Sequence, residues 1–368
     1  MSVRIATFNT ENLLSRVDFS GYRNALRQDR VTQLFQRGTE AEYRQIEIAR
    51  VVSITDDTRQ LTALAIADAD ADIVCLQEVE NLETLRAFEY GYLFKMIGAG
   101  YRQKFMVEGN DSRGIDVAVM MREQTRHGET IEFVRMQSHA HLTYEALDLY
   151  RPELAALAKP SDRIFKRDCL EIDVRIGGKP LTLYLVHFKS MGGGRDGMDG
   201  RSFTMPVRIA EASALRRIIT DRFGARAGQT RFVICGDLND YREKIVVEGD
   251  ARNGYRFRPV AESNSSLDVL LSDGFAVNVM ERRDIMDRWT LFHSRGPEER
   301  HLCQLDYILL SPALAGSVPL AVPEIIRAGQ PFRTLFPEGQ EVARYPRTGW
   351  DRPKASDHCP VVIELTVG

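Results

Sequence analysis

A layered α/β sandwich is the fold class this sequence predicts, and three observations lead there. Short β-branched runs recur along the chain and outnumber the helix-like segments between them. Several runs are apolar almost without interruption, the pattern of strands buried on both faces, between a second sheet and a layer of helices. The runs also end repeatedly in carboxylates, amides or histidines.

Taken in order, the first run is RIATFN at 4–9, entered through the alternation of Val3, Ile5, Thr7 and Phe8. Helix-like segments follow at 39–54 and 58–69, then the runs DIVCLQE at 72–78 and DVAVMM at 116–121. CLEIDVRI at 169–176 and LTLYLVHF at 181–188 precede a helix over 206–223, with apolar positions at Val207, Ile209, Ala210, Leu215, Ile218 and Ile219. RFVICGD at 231–237, a short helix near 264–272, DYILL at 306–310 and PVVIELTV at 360–367 complete the series. Proline and glycine gather at 191–201, 295–297 and 312–350, which predicts long surface loops rather than a domain boundary. With no internal repeat or low-complexity linker, the expectation is one domain over 1–368, with insertions near 14–70, 136–165 and 312–355.

The chain has 368 residues and a formal charge of −3, which excludes a basic nucleic-acid-coating protein. Hydrophobic residues at 43% and charged ones at 27% place it among globular domains and away from disordered chains. The N-terminus has no charged region leading into an apolar one, and no uncharged apolar stretch approaches a membrane span. Cys75, Cys169, Cys235, Cys303 and Cys359 are odd in number, lack CxxC spacing and mostly sit in apolar runs. They are expected as buried free thiols in a reducing cytoplasm.

The polar residues at run ends carry the chemistry. Asn9, Glu11 and Asn12 follow the first run, Glu78 the second, His187 the fifth, and Asp237, Asn239 and Asp240 the sixth. Asp306 begins DYILL, and Ser356, Asp357 and His358 precede the last run. A single such residue is ordinarily a turn former or a helix cap. Together they suit one reaction. Carboxylate oxygens with few sulfur or imidazole ligands favour Mg²⁺ or Mn²⁺ over zinc and leave positions open for phosphate oxygens. A histidine can donate to a phosphate oxygen, a carboxylate can orient water, and amides can position both. Phosphoester hydrolysis is the chemistry such a set serves.

FNTENL (8–13), CLQEVEN (75–81), RGIDVAV (113–119), VHFKS (186–190), GDLND (236–240), LDYILLSP (305–312) and SDHCPV (356–361) resemble, in order, the motifs of the endonuclease/exonuclease/phosphatase superfamily. The resemblance runs from Phe8 to Val361. It implies a four-layered α/β sandwich of DNase-like type, two packed mixed sheets flanked by helices, with the site at one edge. It also implies Glu78 as principal Mg²⁺ ligand, Asn9 and Glu11 as supports of metal and phosphate, and His187 as a phosphate contact. Asp237 and Asn239 would orient the water and the scissile phosphate, Asp306 and His358 would form a carboxylate–histidine dyad, and Asp357 would be a metal-side carboxylate. Asp306 would then fix the tautomer of His358 and raise its basicity. Arg113 could fork a phosphate, a surface arginine being the alternative, and Asn12 is a further substrate-binding candidate. Some family members have Asp where this chain has Glu11. The tyrosine of some apurinic endonucleases has no match, although Tyr144 and Tyr150 lie in an insertion.

Other motifs are set aside. Gly192, Gly194 and Gly197 satisfy G-x-G-x-x-G, but the helix expected from Pro206 starts too late for a dinucleotide loop, and no GK[ST] follows. The loop is read as lying beside His187, with Arg195 or Arg201 within reach of substrate. Ser356, Asp357 and His358 are adjacent and cannot form a relay. His139 and His141 lack partners at metal spacing. Arg16, Arg23, Arg27 and Arg30, and then Arg327, Arg333, Arg344, Arg347 and Arg352, form two clusters. With Phe332, Phe336, Tyr345 and Trp350 the second could bind nucleic acid or be a solvated face with inward rings.

The expectation is therefore a Mg²⁺-dependent phosphodiesterase with DNA as substrate and Mn²⁺ as possible substitute. A phosphatase or phosphodiesterase on a small-molecule or lipid headgroup is the alternative within the class. A catalytically inactive binding module is the alternative outside it, and the completeness of the polar set argues against that.

Overall fold

The computed structural model describes residues 1–14, 56–195 and 197–368. The helix expected at 39–54 and the cluster Arg16, Arg23, Arg27 and Arg30 lie outside the described residues.

Two six-stranded mixed sheets stack face to face. The first contains β1 (Ser2–Leu13), β2 (Ile73–Val79), β3 (Gln103–Met106), β4 (Asp116–Met121), β15 (Glu324–Ile325) and β16 (Val361–Thr366), in the order β15-β16-β1-β2-β4-β3. The second contains β5 (Ile131–Ser138), β6 (Cys169–Ile176), β7 (Lys179–His187), β8 (Phe232–Asp237), β11 (Val277–Asn278) and β14 (Asp306–Leu310), in the order β11-β14-β8-β7-β6-β5. A four-stranded sheet of β9 (Glu243–Asp250), β10 (Gly254–Ala261), β12 (Leu291–Ser294) and β13 (Arg300–Cys303) has its own core around Trp289, Phe292 and Leu302.

The period of two explains the layers. Along β1, Val3 and Ile5 meet Val174, Leu183, Val233 and Ile308 of the second sheet in the central core. Ala6 and Phe8, on the alternate face, point the other way, toward Leu61, Ala65 and Ile66 of helix α1 (Asp56–Ala69). On the opposite outer face, Tyr184, Val186, Phe232 and Ile234 pack on Val207, Leu215 and Ile219 of helix α2 (Gly200–Phe223). The result is a four-layered helix–sheet–sheet–helix sandwich. Each fully buried aliphatic side chain contributes roughly 1.5–3 kcal/mol. All eight strand-like runs read from the sequence are strands.

The differences have local causes. Helix α2 begins six residues before Pro206, because the Asp199 carboxylate caps the Ser202 amide at 3.0 Å and the Thr204 hydroxyl bonds Gly200 O at 2.6 Å. The early start brings the helix close behind Gly197, but Asp199 already fills its N-terminus with negative charge, which disfavours an anion there. The insertion read at 136–165 contributes Tyr144, Leu154, Ile164 and Phe165 to the outer core beside α2. Tyr144 is buried and edge-packed on Tyr150, whose hydroxyl donates to Ala158 O. All five cysteines are buried and free. Among the described residues no helix is long and apolar enough to cross a membrane.

Candidate active site

Strand register builds the site. Strands β7 and β8 run parallel with His187 opposite Asp237, and β8 and β14 run antiparallel with Asp237 opposite Asp306. His187, Asp237 and Asp306 therefore stand in a row across three neighbouring strands at one rim of the second sheet. In the first sheet, parallel β1 and β2 pair Asn9 with Gln77, which places Glu78 at the same rim. The antiparallel pairing of Thr7 with Val361 brings the turn carrying Asp357 and His358 beside the end of β1. Face-to-face packing joins the two rims: Asn9 Nδ2 donates to Asp237 Oδ2 at 3.0 Å.

Gly236 sets this spacing. Its φ is +148°, and a Cβ there would lie 1.8 Å from Val186 O. Only glycine lets β7 and β8 approach this closely one residue before Asp237.

Asp237 is buried and fully engaged. Its Oδ2 accepts from Asn9 and from Asn239 Nδ2, both at 3.0 Å, and its Oδ1 accepts the Asn239 amide at 2.8 Å. His358 Nδ1 is 2.9 Å from Asp306 Oδ2, while its Nε2 is 3.8 Å from Asp237 and 3.9 Å from Asp357. Thr290 donates to the same Asp306 oxygen at 2.6 Å. Ser356 holds the turn by donating to Asn9 O at 2.7 Å and accepting the His358 amide at 3.0 Å. His187 Nε2 lies 3.5 Å from Asp237 and 4.0 Å from Glu78.

The electrostatics separate these groups. Burial, with the Asp306 charge, pushes the Asp237 carboxyl up to about 7 against the pull of His358. Burial opposes the charge on His358, but Asp306 and Asp237 outweigh it and hold the imidazole well above its ordinary value. His187 goes the other way: burial first, then the charges of Arg167 and His358, keep it neutral. A base near neutrality, an imidazolium and a neutral imidazole thus share one rim.

Glu78 and Glu11 are both raised, by burial first and then by Asp357. A crowd of carboxylates that repel one another is relieved by a cation, so this donor set fits a hard divalent metal. Glu11 is already partnered: Arg352 and Lys354 meet its Oε1 at 2.7 and 3.1 Å, and the Asp357 amide donates to its Oε2 at 2.9 Å. Among the described residues no three His, Cys, Asp or Glu side chains form a ready metal cage. Glu11, Asn12, Glu78 and Asn239 all have positive φ, at 49, 67, 65 and 49°. Non-glycine residues held this way cost energy and concentrate at functional sites.

Arg113 and Asn12 border this network at the surface, and other candidates fall away from it. Arg113 is exposed and forks Asp111 at 3.1 and 3.0 Å, and Asp111 also meets buried Arg167 at 2.9 Å. Asn12 is exposed beside Glu11. Arg201 is not within reach of substrate: it is buried, bonded to Asp240 at 2.8 Å and to two backbone carbonyls. His139 is buried 3.2 Å from Glu171, which Arg222 in turn holds at 2.6 Å. This acidic partner comes from 32 residues along the chain, beyond the reach of a spacing argument. Thr290, Arg167, Lys354 and Gln330, whose amide donates to Ser356 O and His358 O, belong to the site without any motif to announce them.

The model of the Endonuclease/Exonuclease/phosphatase family matches residues 6–358. No curated protein matches the chain. Among solved structures, truncated Caenorhabditis elegans TDP2 is 12% identical with a TM-score of 0.51, covering 99% of this chain and 97% of that one. An endonuclease/exonuclease/phosphatase family protein from Bacteroides thetaiotaomicron is 14% identical with a TM-score of 0.51 over the same shares. Danio rerio TDP2 complexed with single strand DNA product is 13% identical, with a TM-score of 0.50 and 99% of each chain covered. At these identities the likeness is one of fold. The family match, across nearly the whole chain, shows that this protein belongs to the endonuclease/exonuclease/phosphatase family and is a phosphoester hydrolase.

Proposed function

We propose that the protein is a Mg²⁺-dependent phosphodiesterase that cleaves DNA, with Mn²⁺ as a substitute ion. The observation that carries this is the row His187–Asp237–Asp306, closed by Asn9 and His358 through hydrogen bonds at 3.0 and 2.9 Å, in which burial and neighbouring charges push His187 down and His358 up. Glu78, with Asp357 and Glu11 in support, would hold the metal, which when bound polarises the phosphate. Asp237, aligned by Asn9 and Asn239, accepts a proton from the attacking water, its pKa being near neutrality. Protonated His358, backed by Asp306 and Thr290, donates toward the charge that develops on the phosphate oxygens, and neutral His187 contributes a second donor. Arg113 and Asn12 lie outside the buried network as substrate contacts. We read residues 1–368 as one domain with insertions near 14–70, 136–165 and 312–355.

Nicking of supercoiled plasmid with Mg²⁺, Mn²⁺ or EDTA tests this. Metal-dependent nicking by the wild type and its near-complete loss in Glu78→Ala are expected. A folded wild type that hydrolyses bis-p-nitrophenyl phosphate yet leaves plasmid and oligonucleotide intact would instead place the substrate among small or lipid phosphoesters.

A further inference from the structure

Helix α2 places one carboxylate in the outer core. Glu211 is fully buried, on the helix whose Val207 and Leu215 pack against β7 and β8. A carboxylate in such a layer is costly unless both oxygens are bonded. They are: Oε2 accepts the Lys189 amide at 2.7 Å and Oε1 the Lys166 amide at 3.2 Å. Burial pushes the carboxyl up to about 7, against the pull of these two amides and of the Arg167 and Lys166 charges. The two segments it holds lead into Arg167 and out of His187.

Both arms converge on one atom. The Lys189 amide belongs to the peptide joining Phe188 to Lys189, which is trans, so its N–H and C=O point in opposite directions. With the N–H held on Glu211, the Phe188 carbonyl is turned toward the rim. There it accepts from Asn239 Nδ2 at 3.1 Å and from Arg167 Nη1 at 3.0 Å, and Arg167 follows the other residue that Glu211 holds. Arg208, fully buried three residues before Glu211 on α2, donates to Lys189 O at 3.3 Å and braces the next peptide. An amide nitrogen has two hydrogens. Asn239 Nδ2 gives one to Phe188 O and the other to Asp237 Oδ2 at 3.0 Å. If the Phe188–Lys189 peptide turned over, its N–H would meet the Asn239 amide donor to donor. Asn239 would then have to turn its own amide, setting its oxygen against Asp237 Oδ2.

We propose that Glu211 is a positioning residue for the Asn239–Asp237 pair: through the peptide joining Phe188 to Lys189 it fixes the Asn239 amide, and through that amide the direction of the Asp237 carboxylate. This rests on the reading of Asp237 as the base.

Two readouts on the full chain test it. Glu211→Met keeps the length of the side chain and removes both acceptors, and Glu211→Gln offers one oxygen to two donors. In EDTA, the side-chain amide signals of Asn239 in ¹⁵N–¹H correlation spectra, assigned with Asn239→Ala, should shift in both variants. With Mg²⁺ and bis-p-nitrophenyl phosphate, kcat should fall about tenfold in Glu211→Met and about threefold in Glu211→Gln, with KM within about twofold of the wild type. In an Asn239→Ala background either substitution should change kcat by less than about twofold, because the link it breaks is already gone. Unmoved Asn239 signals in a folded variant, a wild-type kcat in both variants, or the same loss of kcat in both backgrounds would overturn the proposal. Should Glu211→Met fail to fold, Glu211→Gln decides by the same criteria. If Asn239→Ala turns over like the wild type, or the wild type hydrolyses no phosphodiester with Mg²⁺ or Mn²⁺, the reading of Asp237 as the base falls, and shifted Asn239 signals would still uphold the hold of Glu211 on Asn239.

Discussion

Asp237 has three hydrogen bonds from Asn9 and Asn239 and two further acidic or basic neighbours in Asp306 and His358, and its carboxyl is pushed up to about 7 chiefly by burial. In the proposed reaction its ionised form accepts a proton, so activity should rise with pH through about 7 and be about tenfold below its high-pH plateau one unit under that value. Turnover of bis-p-nitrophenyl phosphate between pH 5 and 9 checks this, and a profile flat from pH 6 to 8 would remove Asp237 from the role of base. The motif residues were legible because each ends a strand, where sequence pattern and position coincide. Thr290 was not legible, since its bond to Asp306 comes from a loop, and Lys354 was hidden because its partner Glu11 lies more than three hundred residues away in sequence.

Strands and loops set how well those residues are placed. The close approach of β7 and β8 depends on Gly236, so Gly236→Ala should force Val186 O away, cost about 3 kcal/mol or more, and disturb His187 and Asp237 together. Thermal unfolding and turnover of the variant check both effects, and a stable, fully active Gly236→Ala protein would refute this account of the rim. Doubly buried strands such as Phe232–Asp237 announce themselves by apolar continuity. Strands such as Ile131–Ser138 and Gly254–Ala261 did not, because an edge strand and an exposed hairpin carry charged residues on their open faces. Pro206 suggests a helix start at its own position, but the Asp199 cap starts α2 six residues earlier.

At the scale of the whole molecule, the two sheets bring the end of β1 and the end of β8 into contact, so residues hundreds of positions apart form one hydrogen-bonded rim. The layering was legible from the apolar runs. The third sheet depends on long-range contacts that no local pattern reports. The central claim is that the joined rims hydrolyse phosphodiesters through His358 and its Asp306 partner. Steady-state hydrolysis of bis-p-nitrophenyl phosphate with Mg²⁺ by wild type and His358→Ala, with circular dichroism to show that both are folded, tests it most directly. A fall in kcat of roughly 10²–10⁴ is predicted. A folded His358→Ala protein within about threefold of wild type would contradict the account.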